Sequence, residues 1–249
     1  MSRADQQQGD SAHDEPHAGN GLKARLNWLR AGVLGANDGI ISTAGLVIGV
    51  VAATPSRTAI ITAGVAGLVA GAVSMALGEY VSVSSARDTE VALIAQERGE
   101  LDADPEGELQ ELTDAYRAKG LSEHTARTVA EELTAKDAIR AHLEVEFGLD
   151  ENDLTNPWHA AVASAVAFTV GALLPLLAVL LAPASASQTA RIVVTAVAVL
   201  IALVVTGSVS AQFGGAGRVR AVLRLVVGGA LAMGVTWGIG AMLGTSMAG

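Results

Sequence analysis

Five apolar stretches dominate the chain: about Leu29 to Ala53, Thr58 to Val83, Trp158 to Leu181, Thr189 to Ala211 and Ala221 to Leu243. Each exceeds the roughly 20 residues that a helix needs to cross a bilayer. Strand signals are absent, because no run alternates polar and β-branched residues for long. The expected fold is therefore all-α, a polytopic membrane protein with five transmembrane helices. Composition agrees: 51% of residues are hydrophobic but only 3% aromatic, and 28 are glycine. Small residues let helix backbones approach closely in lipid, where apolar burial gives little drive for association.

The boundaries divide the chain into a polar tail (1–22), a first pair of spans (23–84), an insert (85–157) and three further spans (158–249). The tail carries Asp5, Asp10, Asp14 and Glu15 and no apolar core, so it reads as a disordered cytosolic segment rather than a signal peptide. His13 and His17 within it read as incidental. The net charge of −9 is not a global property, since 19 of the 25 acidic residues fall between Asp88 and Asp153. Basic residues set the orientation. Lys23, Arg25 and Arg30 precede span one, seven basic residues lie in the insert and Arg218, Arg220 and Arg224 flank span five, against Arg57 and Arg191 on the other side. The positive-inside rule then puts the N-terminus and insert in the cytosol and the C-terminus outside. Residue usage rich in Ala, Val, Gly and Arg suggests a bacterial inner membrane. The absence of cysteine removes disulfides and thiolate metal sites, and neither a catalytic group nor a nucleic-acid partner is expected.

Two acidic residues, Asp38 and Glu79, interrupt the apolar spans. Such groups are costly at bilayer depth and usually mark an ion or proton path. Asp38 sits seven residues into span one, and Met75 eight residues from the cytosolic end of span two, so both lie roughly 10 to 12 Å deep. Glu79 follows Met75 by one turn on the same face. The stripe Gly67, Gly71, Met75, Glu79 reads as the wall of a conduit. Bland readings stand beside this one: methionine commonly fills gaps, Asp38 can bond a neighbouring helix, and Glu79 can reach the interface. The glycines of spans one and two are expected to pack those helices on each other or on a second copy, and Pro175 to kink span three.

The insert reads as helical. Span two continues past Tyr80 to about Leu101, and Asp104-Pro105 fits a cap and first position of a helix ending near Lys119-Gly120. Ser122 can cap a third helix, and a fourth runs from about Ala135 to Phe147, closed by Gly148. Glu97 and Glu100 share one helix face, Glu108 and Glu111 another, and the short connection folds the pairs together. His142 and Glu146 share a third face. Glutamates with one imidazole favour Fe²⁺, Mn²⁺ or Zn²⁺ over Mg²⁺ or Ca²⁺. Taken singly, each glutamate is ordinarily a solvated helix face and a lone histidine ordinarily structural.

With Asn37-Asp38-Gly39 in span one, the run from Gly71 through Ser74-Met75 and Gly78-Glu79-Tyr80 in span two, and Glu146-Phe147-Gly148-Leu149 closing the insert, the chain resembles the vacuolar iron transporter family from about Leu22 to Leu243. The resemblance implies five membrane helices per subunit, a homodimer with its path at the subunit interface, and movement of Fe²⁺ or Mn²⁺ out of the cytosol in exchange for protons. It carries the membrane ligands onto Asp38 and Met75 and the cytosolic metal-binding glutamates onto Glu97, Glu100, Glu108, Glu111 and Glu146. Two positions depart from the family pattern: Gly67 stands where some relatives are acidic, and His142-Leu143 where they have two methionines. A ferritin-like domain has no room in the tail, so iron storage is not expected. The resulting expectation is a homodimeric, non-enzymatic Fe²⁺/Mn²⁺ transporter coupled to protons, whose partners are divalent metal ions, protons and the lipid membrane. It needs no resident cofactor. The rival readings are a membrane-anchored metal buffer or sensor without transport, and a passive cation channel.

Overall fold

A computed structural model describes residues 21–151, 154–183, 185–214 and 217–247. The tail expected over 1–22 lies, apart from its last two residues, outside that set. The described residues form helices α1 (Gly21–Ala53), α2 (Arg57–Ala103), α3 (Pro105–Ala118), α4 (Glu123–His142), α5 (Pro157–Leu181), α6 (Gln188–Gly214) and α7 (Arg218–Met247), with one π-helical turn over Leu143–Phe147. No strand occurs among them. Five helices, α1, α2, α5, α6 and α7, are long and apolar enough to cross a membrane.

Capping side chains fix the helix limits. Ser56 Oγ accepts the Ala59 N–H and starts α2. Asp104 does two things: its N–H closes α2 on the Glu100 carbonyl, and its carboxylate accepts the Gly107 N–H to open α3, with Pro105 in the first turn. Ser122 opens α4 in the same way, and Asn156 opens α5 ahead of Pro157. The fourth helix expected from about Ala135 is joined to α4, but the junction is visible. Asp137 leaves helical geometry (φ −169°, ψ 90°), and its carboxylate accepts the Arg140 N–H as an internal cap. Gly148, at φ 64°, takes the left-handed conformation that ends the π turn, and the Leu149 N–H reaches back to the Leu143 carbonyl.

At 47 residues, α2 is roughly 70 Å long against roughly 30 Å of hydrocarbon. Its apolar part ends near Val83, so the remaining 84–103, over two-fifths of the helix, projects beyond the span. There Glu97 is buried, together with Ile94, against the helices of the insert. The insert has its own small core, Leu112, Ala130 and Ala141, flanked by Leu109, Tyr116, Leu133 and Val145.

In the membrane part α1 is central. Ile40, Ala44 and Ile48 pack on Val199 and Leu203 of α6 and Met233 of α7, while Val47 and Val51 meet Ile60, Leu176 and Val179. The glycines of α1 do not principally serve an α1–α2 contact. Gly35 and Gly39 lie against the backbone of α5 around Ser164, Phe168 and Ala172, and Gly45 and Gly49 lie against Thr236 of α7. The reason is steric: at Gly39 a Cβ would overlap the Phe168 carbonyl, so only glycine permits this helix separation. Pro175 is buried within α5, and the helix continues on both sides of it.

Candidate metal centre

Three elements of the insert converge on one point. Glu97 comes from the projecting end of α2, Glu108 from the first turn of α3, and His142 from the end of α4. One ligand atom from each lies within 4.8 Å of the other two. The π turn brings Glu146 back one turn beyond His142, where its Oε1 is 3.0 Å from His142 Nδ1 in hydrogen-bond geometry. Glu97 Oε1 is also 3.0 Å from Nδ1 and Glu108 Oε2 is 3.6 Å away. The Glu97 contact lacks hydrogen-bond geometry, however, so Glu97 Oε1 is buried without a partner; the other ring nitrogen, His142 Nε2, is also buried without one. His142 is wholly buried and Glu97 is 2% exposed.

Uncompensated polar atoms in a buried carboxylate cluster are costly, and the ionisation of the acids registers that cost. The Glu97 carboxyl is pushed up to about 7, first by burial and then by the charge of Glu146, with smaller contributions from Glu108 and Glu100 that His142 partly offsets. Burial, followed by Glu111, raises Glu108 as well. Three carboxylates and an imidazole facing one another suit a divalent cation, which supplies the positive charge that one ring proton cannot.

The structure thus brings together Glu97, Glu108, His142 and Glu146. Glu100 and Glu111 remain exposed at the rim, close enough to add negative charge. Glu100 instead accepts a 3.0 Å hydrogen bond from Gln96.

The second group lies in the apolar part. Asp38 is exposed on α1, on a face shared with Leu34, Ser42 and Leu46, and its carbonyl accepts the Ser42 hydroxyl at 2.6 Å. Met75 and Glu79 are half-buried on α2. The helices form an antiparallel hairpin in which Leu46 packs at Gly67. Two turns closer to the insert on each helix stand Asp38 and Met75, so the register sets them at like height.

The expectation that Gly67 and Gly71 leave an open conduit is corrected. The Leu46 side chain fills the space beside Gly67, and the Phe168 ring fills that beside Gly71. Phe168, 2% exposed, is wedged between the two helices: its carbonyl abuts Gly39, next to Asp38, and its ring abuts Gly71, one turn from Met75. The sequence reading does not single it out. Its signal is the pair of glycines on separate helices that both need a bulky neighbour from a third.

A sequence model of the VIT family matches residues 29–241. The chain is 44% identical over 213 residues to a protein of Acanthamoeba castellanii named vacuolar iron transporter, a match covering 86% of this chain and 77% of that protein. It is 39% identical over 226 residues to vacuolar iron transporter homolog 1 of Oryza sativa subsp. japonica, covering 90% and 78%. Identity to vacuolar iron transporter homolog 2.1 of Arabidopsis thaliana is 37% over 222 residues, covering 89% and 84%.

Proposed function

The chain belongs to the VIT family and is a multi-pass membrane protein, and from that premise we propose that it transports Fe²⁺, and Mn²⁺ with it, out of the cytosol in exchange for protons. The observation that carries this reading is the continuity of α2. One helix bears Met75 and Glu79 in its apolar part and the buried Glu97 in the cluster beyond it. In this reading Glu97, Glu108, His142 and Glu146 collect the ion on the cytosolic side, and Glu100 and Glu111 attract it there by charge. Asp38 and Met75 then bind it within the membrane. Protons arriving from the far side compete for Asp38 and Glu79 and release it.

A second copy of the chain completes the path. In the single chain Asp38 stands on an exposed helix face, and α2 presents the apolar stripe Ile61, Val65, Val69, Val73, Leu77, Val81. A carboxylate facing hydrocarbon is costly, and pairing the α1–α2 hairpins of two subunits encloses it. The insert lies in the cytosol in this arrangement, as the basic residues around it require.

Reconstitution tests the reading directly. Proteoliposomes containing a metal-quenched dye should lose fluorescence on addition of Fe²⁺ or Mn²⁺, faster with an acidic lumen than without a pH gradient. Metal bound to the protein with no quenching inside the vesicles would leave a membrane-anchored buffer instead. Flux indifferent to the gradient would leave a channel.

A further inference from the structure

The insert cluster contains one donor unlike the rest. Glu97, Glu108 and Glu146 offer carboxylate oxygens, and His142 alone offers nitrogen. A histidine kept only to bridge carboxylates should leave none of the buried oxygens around it unsatisfied. Here Nδ1 faces three carboxylate oxygens at 3.0, 3.0 and 3.6 Å, of which its single proton serves one, and the buried Glu97 Oε1 is left without a partner. With the proton on Nε2 instead, Nδ1 presents a lone pair to the point where the three carboxylates converge. The side chain is wholly buried at the junction of α4 and the π turn, so it cannot swing out to leave an oxygen-only site.

We infer that His142 is the specificity-determining residue of this site, supplying through Nδ1 the nitrogen donor that favours borderline transition dications over Mg²⁺ and Ca²⁺. The inference rests on reading the cluster as a cation site. Its chemistry is general: Mg²⁺ holds its waters and demands an oxygen octahedron, whereas imidazole suits Fe²⁺ and Zn²⁺ and is accepted, with a smaller gain, by the harder Mn²⁺. Without the imidazole the set becomes carboxylate alone, which selects poorly among divalent ions.

The test uses the full-length protein in detergent micelles with Mn²⁺ as the probe, comparing the unmodified chain with His142→Gln and Glu97→Gln. Pulsed electron paramagnetic resonance reports whether nitrogen is bonded to the bound Mn²⁺. The unmodified chain should show ¹⁴N coupling that is absent in His142→Gln. Competition should show the preference for Mn²⁺ over Mg²⁺ falling roughly tenfold in His142→Gln, with Mg²⁺ affinity nearly unchanged. Bound Mn²⁺ without ¹⁴N coupling in the unmodified chain overturns the role of His142 while leaving the cation site intact, and this readout decides the matter even if His142→Gln does not fold. Equal loss of Mn²⁺ and Mg²⁺ binding in a folded His142→Gln also overturns it, because the residue would then be structural. Mn²⁺ binding that ignores Glu97→Gln overturns the site itself.

Discussion

The two candidate ligand groups of this molecule are built differently. Glu97, Glu108 and His142 converge within one chain around the buried Glu97 and His142 side chains, with the more exposed Glu146 closing on His142. Asp38 stands on an exposed face of α1, with the half-buried Met75 and Glu79 on the neighbouring helix. Water explains the contrast. In the insert, hydrophobic burial of Leu112 and its neighbours drives a small core together and carries the costly carboxylates with it. In lipid that drive between helices is absent, so the helices are held by close backbone approach at Gly39 and the wedge of Phe168. A preassembled site is suited to capture. An open one is suited to passage once the proposed second copy encloses it.

Removing the charge from the open site alone should have the largest effect. Asp38→Ala should reduce metal flux in proteoliposomes to that of empty vesicles while Mn²⁺ still binds the purified protein; surviving flux would take Asp38 off the path. Glu97→Gln is the reciprocal change. It should weaken Mn²⁺ binding by at least about tenfold, the scale on which even outer partners of metal ligands matter, yet leave measurable flux at high metal concentration. If flux vanishes at every concentration, the insert is part of the path rather than its collector.

Substitutions at the helix contacts should have smaller effects. Gly39→Ala forces a methyl group against the Phe168 backbone, which cannot yield, and should lower stability by about 1 to 3 kcal/mol in detergent. Gly71→Ala meets the Phe168 ring, which can rotate, and should cost less. Equal thermal shifts for the two would count against Phe168 as the wedge between these helices.

The least perturbing probe is pH. Because the folded-state pKa of Glu97 is raised from 4.5 to about 7, the folded, ion-free protein retains a proton that the unfolded chain gives up. That contribution to stability is complete below 4.5 and is lost as pH rises through about 7. A bound cation has the opposite dependence, since it must displace the same proton and so binds more strongly above that range. Thermal unfolding with and without Mn²⁺ should therefore show ion-induced stabilisation growing from acidic to mildly alkaline pH. Stabilisation that does not change with pH would mean that Glu97 is not a ligand.

Much of this was legible beforehand. Long apolar runs located five helices to within a few residues at most ends, and Asp104-Pro105 and Ser122 marked the joints of the insert because caps are local chemistry. The pairs Glu97 with Glu100 and Glu108 with Glu111 followed equally from spacing, but helix spacing gives the face and not what covers it. Burial took Glu97 and Glu108 inward and left Glu100 and Glu111 in solvent. The glycine stripe at Gly67 and Gly71 misled for a related reason. An absent side chain records that something comes close, without saying whether it is a path or a neighbour, and here it is Leu46 and Phe168.

The five apolar helices, the helical insert and the residue types able to hold a metal could be read from the chain alone, because hydropathy, local capping and donor chemistry travel with each residue. Tertiary structure alone decided which donors share a point and which helix fills each glycine gap. Those outcomes depend on the angle at which separate helices meet, and no local pattern encodes that angle.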